Sequence, residues 1–122
     1  MRYMLLAYGD QQQLGAMSSS EREALWKACL VNDEALRESG HLLAVEGLEN
    51  SHSAATVRLQ HGDLSVAVGP LSETSEQLIG IFTITARDLN EAIQVAARMP
   101  QVRGGPIEVR PIATLDNFGA LL

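Results

Sequence analysis

Glu46 is the first residue of this chain with a chemical use in view. It stands inside an otherwise apolar stretch, residues 42–48. Burial there would raise its pKa and suit it to general acid and base work. The plainer reading is a strand-edge carboxylate, paired with an arginine or turned to solvent. His41 and His52 flank the stretch, and an imidazole titrates near neutrality, so either could shuttle a proton. His41 directly follows Gly40, the expected end of a helix, where a cation is favoured by the dipole. His52 lies in the polar run Glu49-Asn50-Ser51-His52-Ser53, and His61 reads as a turn residue. Arg103-Gly104-Gly105 is the best anion-binding candidate. Paired glycines admit a ligand close to backbone N–H groups, and a guanidinium grips a carboxylate in a bidentate way. A plain loop leading into the last strand has the same spelling.

Other residues carry weaker signals. Cys29 falls on the apolar stripe of a helix, where a cysteine packs as a small hydrophobe. Asn32 interrupts that stripe, so its amide must find a partner, and a cleft is one place to find it. Tyr8 and Trp26 could line such a cavity, although large aromatics also pack in cores and interfaces. Glu46, His41 and His52 are chemically suited to a metal, but no tight His-x-His or His-x-x-x-His spacing supports it, so no metal or other cofactor is expected. Gly69-Pro70 with Glu73-Thr74 reads as an ordered loop at a strand end.

The elements that must hold these residues follow from periodicity. Ser20 and Glu23 have capping-box spacing, which predicts a helix from there to Gly40. A second helix is expected from Asp88, with Leu89, Ala92, Ile93, Ala96 and Ala97 on one face and Pro100 as its stop. Strands are expected at 3–8, 42–48, 56–60, 64–68, 78–85 and 107–110, with His61-Gly62-Asp63 as a hairpin turn. Gln11-Gln12-Gln13 and Ser18-Ser19-Ser20 fall in the connection after the first strand. Without the hairpin the order is βαββαβ. That is a ferredoxin-like α+β fold, with both helices on one face of an antiparallel sheet. The strands are too apolar to leave the other face wet, so a homodimer packed sheet against sheet is expected.

The chain has 122 residues, 46% of them hydrophobic and 4% aromatic, which suits one domain over 1–122. Its formal charge is −6, and one lysine, Lys27, stands among nine cations. That balance argues against nonspecific nucleic-acid binding. No apolar run nears the roughly 20 residues of a membrane helix. A single cysteine excludes an internal disulfide, and the cytoplasm is the expected compartment.

Taken together, several segments resemble the YCII-related family, in particular its DGPF-type branch. They are Arg2-Tyr3-Met4-Leu5-Leu6-Ala7-Tyr8-Gly9-Asp10, Glu46-Gly47-Leu48, Gly69-Pro70-Leu71-Ser72-Glu73-Thr74, Gln77-Leu78-Ile79-Gly80, Asp88-Leu89-Asn90-Glu91-Ala92 and Arg103-Gly104-Gly105-Pro106-Ile107-Glu108-Val109-Arg110-Pro111. The resemblance spans nearly the whole chain. It implies a dimeric α+β barrel with a cleft near the sheet. In some members of the wider family it implies enzymes acting on small aromatic compounds through a histidine and an aspartate. Val68 and Leu71 stand where the branch motif has aspartate and phenylalanine, and the first helix holds no histidine, so that acid/base pair does not carry over. The leading expectation is a small-molecule-binding homodimer. If it is catalytic, Glu46 or His41 moves a proton, and Arg103, Asn32 and Tyr8 hold the substrate. The alternative is a noncatalytic regulatory or protein-interaction domain linked to transcriptional control.

Overall fold

A computed structural model describes the backbone of residues 1–122 and every side chain except that of Asn117. Strand β1 (Arg2–Asp10) alternates strictly: Tyr3, Leu5 and Ala7 are buried, and Met4, Leu6 and Tyr8 are half-buried. Period-two burial of this kind sets one face of a strand against a core. Asp10 ends the strand and caps a short helix, α1 (Gln11–Ala16), by accepting from the Gln12 and Gln13 amides at 2.9 and 3.2 Å. The segment expected as a plain connection is therefore partly helical, because its preceding aspartate satisfies two orphan donors.

Helix α2 (Ser19–Glu38) begins one residue before the expected start. The capping box is Ser18 with Glu21, not Ser20 with Glu23: Ser18 keeps extended backbone angles and accepts from the Glu21 amide, and Glu21 returns a bond to the Ser18 amide. Both serine–glutamate pairs have box spacing, but Ser20 already lies inside the helix. The chain leaves the helix through Gly40 at φ +83°, as the glycine predicts.

The chain then continues through β2 (Leu42–Gly47), a single 3-10 turn at Ser51–Ser53, and the hairpin β3 (Ala55–Gln60) and β4 (Asp63–Val68). His61 and Gly62 both have positive φ, 52° and 84°, which matches the twist of a tight hairpin. Strand β5 (Glu76–Thr85) precedes α3 (Leu89–Ala97), whose N-cap is Asp88, as expected. A 3-10 turn at Pro100–Arg103, β6 (Ile107–Pro111) and the unexpected helix α4 (Leu115–Leu121) complete the chain.

Four strands form one sheet in the order β2-β5-β1-β6, every neighbouring pair antiparallel. The hairpin β3–β4 is a separate two-stranded sheet. The architecture is α+β. The core lies between the sheet and α3, where Ala92, Val95 and Ala96 meet Tyr3, Leu5, Ala7, Phe82 and Ile84, with Met99 sealing the end. Alanines on α3 let the helix approach the sheet closely. Among the described residues no helix is long and apolar enough to cross a membrane.

Candidate functional site

Helix α2 shares the core only through buried Cys29 and partly buried Leu36. Between it and the β2–β5 half of the sheet lies an open cavity of about 810 Å³. The sheet register explains the space. Ala7 of β1 pairs with Gly80 of β5, and Gly80 pairs with Gly47 of β2. Three small residues thus stand in a row across three strands, and all three line the cavity. A Cβ on Gly47 would meet nothing within 4 Å. Val45, Ile79 and Phe82 supply apolar walls on the sheet side, while Leu25, Trp26, Cys29 and Leu30 supply the helix side.

Polar side chains also line the cavity, among them Gln11, Arg22, Asp33, Arg37, Glu49 and Gln101. Asp33 is one helical turn beyond Cys29 and faces the same cavity. Its Oδ1 atom is sealed from solvent and has no hydrogen-bond partner among the described residues. Burial pushes the Asp33 carboxyl above its ordinary value, against a smaller opposing pull from Arg37. Gln101 also lines this cavity, and its Oε1 is likewise buried without a donor. Arg37 is drawn toward Glu34 at 3.8 Å, and Arg22 donates to the Gly15 carbonyl at 2.9 Å. The cavity is therefore largely apolar with several polar side chains in its lining, among which Asp33 has a carboxyl oxygen sealed without a donor among the described residues.

The residues expected from the sequence scatter around this space. Glu46 borders the cavity. Alternation along β2 nevertheless sets Val45 toward the core and Glu46 toward the opposite sheet face, across from Ile81. His41 lies away from the cavity, between helix ends, with Nδ1 2.7 Å from Ser39 Oγ and Nε2 3.3 Å from Glu91 Oε1. Glu91 also takes the Arg87 guanidinium at 2.5 Å, which holds its carboxyl below the usual range. Arg103 lines a smaller pocket beside the first, with Leu14, Met17 and Glu21. Asn32 does not line the large cavity, and its Nδ2 is buried without a partner. Tyr8 sits on β1 opposite Leu78, half-buried, with its amide donating to the Pro106 carbonyl at 2.9 Å. His52 turns its ring onto Asn50 at 2.8 Å. Among the described residues no group of three His, Cys, Asp or Glu side chains comes together as a metal site.

Cys29 is packed: burial pushes its thiol up, Asp33 adds to that, and Arg103 opposes it. Glu108 and Arg110 form an ion pair along β6. Asp33 is the residue that sequence reasoning missed. Its signal was present in the four-residue steps Leu25, Cys29 and Asp33, which place it on the same face as the apolar stripe.

A sheet-and-helix α+β unit with a cleft under its first long helix has relatives. A family model described as the YCII-related domain matches residues 1–116. The chain belongs to the YCII-related family. It is also 34% identical, over 115 residues and 93% of each chain, to an uncharacterized protein of Rhizobium meliloti (strain 1021).

Proposed function

We propose that this chain is a small-molecule-binding protein of the DGPF-type branch. It works in the cytoplasm as a homodimer of ferredoxin-like units whose sheets close a barrel. The cavity under α2 takes one small, largely apolar molecule, aromatic compounds included, and Asp33 transfers a proton to or from its polar group. The observation that carries this reading is the Asp33 carboxyl, with one oxygen sealed and unpartnered among the described residues, in the lining of a largely apolar cavity of about 810 Å³. Such volumes suit drug-sized ligands. A carboxyl that is poorly solvated holds its proton to higher pH, which is what a general acid needs. Glu46 belongs to the sheet face opposite the core and Arg103 lines the smaller neighbouring pocket, so Asp33 replaces Glu46 as the acid/base. A noncatalytic interaction domain would have less use for an open cavity lined on both sides.

Trp26, the sole tryptophan, lines the cavity and reports its occupancy by fluorescence. Titration with phenol, benzyl alcohol and benzylamine, with toluene as a control lacking a polar group, tests the reading. Binding of the polar probes, weakened by Asp33→Asn, is expected. Equal binding of toluene, or no Trp26 response to any probe, would refute it. Once a turnover is found, undiminished activity in Asp33→Asn would remove the proton-transfer role.

A further inference from the structure

The hairpin β3–β4 pairs Ala55 with Val68, Val57 with Val66 and Leu59 with Leu64. Residues paired directly across two strands share a face. Six apolar side chains therefore form one face of the hairpin. Thr56, Arg58, Gln60, Asp63, Ser65 and Ala67 form the other, which is polar apart from the alanine. Alternation this regular marks a sheet that is wet on one side and covered on the other. Yet within one chain none of the described residues covers the apolar side. Val57, Leu59, Leu64, Val66 and Val68 are 63%, 68%, 74%, 69% and 88% exposed. The hairpin joins no other strand, and a two-stranded sheet alone is marginal in water.

We infer that the apolar face of this hairpin is covered by a second copy of the chain, hairpin against hairpin about a two-fold axis. The face carries no charge and no hydrogen-bonding side chain, so it is complementary to itself, which a symmetric contact requires. Its five large side chains offer roughly 500 Å² per copy, and a symmetric pair about 1,000 Å², the size at which a specific interface begins. Arg58 and Asp63 stay on the outer, wet face, where they cost nothing in desolvation. The inference rests on the homodimer of the reading above and adds a hairpin contact to its sheet-to-sheet one, and it does not depend on the cavity or its ligand.

Sedimentation equilibrium on the full chain at micromolar concentrations tests it with two variants. Val66→Glu places a charge at the centre of the apolar face, and Ser65→Glu places one on the outer face. The expected result is a wild-type dimer, an unchanged Ser65→Glu dimer, and self-association weakened about a hundredfold or more in Val66→Glu. A monomeric wild type would overturn both this inference and the homodimer. A dimeric wild type with an unaffected Val66→Glu would overturn this inference alone. Far-UV circular dichroism and Trp26 fluorescence check that Val66→Glu keeps its core. Should it lose its fold, amide exchange of wild-type Val57 and Val66 decides. Protection that rises with protein concentration is expected, and protection independent of concentration would overturn the inference.

Discussion

Gly105→Ala is expected to damage this protein far more than Gly104→Ala, one residue away. A Cβ at Gly105 would stand 2.0 Å from the Tyr8 carbonyl oxygen, 2.8 Å from its carbon and 3.0 Å from the Gly9 Cα. A carbon and a carbonyl oxygen rest about 3.3 Å apart or more, so loop and strand must separate by more than about 1 Å. All three obstacles are main-chain atoms of β1, and no rotamer can relieve them. The nearby hydrogen bond from the Tyr8 amide to the Pro106 carbonyl, 2.9 Å, would be stretched by the same movement. Overpacking costs about 1–3 kcal/mol, and the weakened hydrogen bond about 1 more. A loss of about 2–4 kcal/mol lowers Tm by about 8–16 °C in a chain of this length. At Gly104 the nearest atoms to a new Cβ are Leu14 Cδ2 at 3.5 Å and the Gln101 carbonyl at 3.7 Å, ordinary contacts. Gly104→Ala should therefore shift Tm by less than about 2 °C. Differential scanning calorimetry of both variants at pH 7 measures the contrast. Equal Tm values would refute the argument that close backbone approach, and not ligand binding, requires the second glycine of this pair.

Three further outcomes are expected. Ser18→Ala removes the acceptor for the Glu21 amide and should cost about 1 kcal/mol in urea unfolding, while Ser20→Ala costs much less, because only Ser18 caps α2. Asp33 has a raised folded-state pKa, so its ionisation opposes folding: stability is lost as pH rises from 3.8 through the folded value. Asp33→Asn should therefore be the more stable protein at pH 7, with the advantage gone below pH 3.8; a wild type that is the more stable at pH 7 would contradict it. Glu91 is shifted the other way by the Arg87 guanidinium, so its contribution is present above the ordinary value of 4.5 and is lost as pH falls through the depressed one. Arg87→Met should lower Tm at pH 7 and converge on wild type in acid, which a pH series of thermal melts would show.

Much of the fold was legible because local chemistry and burial agreed. The Asp88 cap, the alanine face of α3 and the His61-Gly62 turn each read the same in sequence and in space, whereas β1, a uniformly apolar run in sequence, shows its alternation only in the fold. Failures occurred where local signals were degenerate. Two serine–glutamate pairs had capping spacing, and backbone angles at Ser18 decided between them. The first strand was expected to stop at Tyr8, and it runs on to Asp10, which also caps α1.

The candidate site was less legible, because it depends on pairing register. Glu46 attracted notice through its apolar neighbours, but a strand turns successive side chains to opposite faces, and only Val45 points to the core. Asp33 follows Asn32 on helix α2 and drew no notice from its sequence context. Only the folded chain shows Oδ1 sealed without a donor.

By itself, the sequence determined the order of the six strands and of the helices α2 and α3, the apolar faces of α3 and the hairpin, and the acidic balance of the chain. Each follows from residue type and short-range period. Tertiary structure decided where there is room for a ligand. Ala7, Gly80 and Gly47 lie far apart in the chain and become adjacent only when β1, β5 and β2 pair. The small size of those three residues leaves α2 standing over a space, and the same helix turns Asp33 into it.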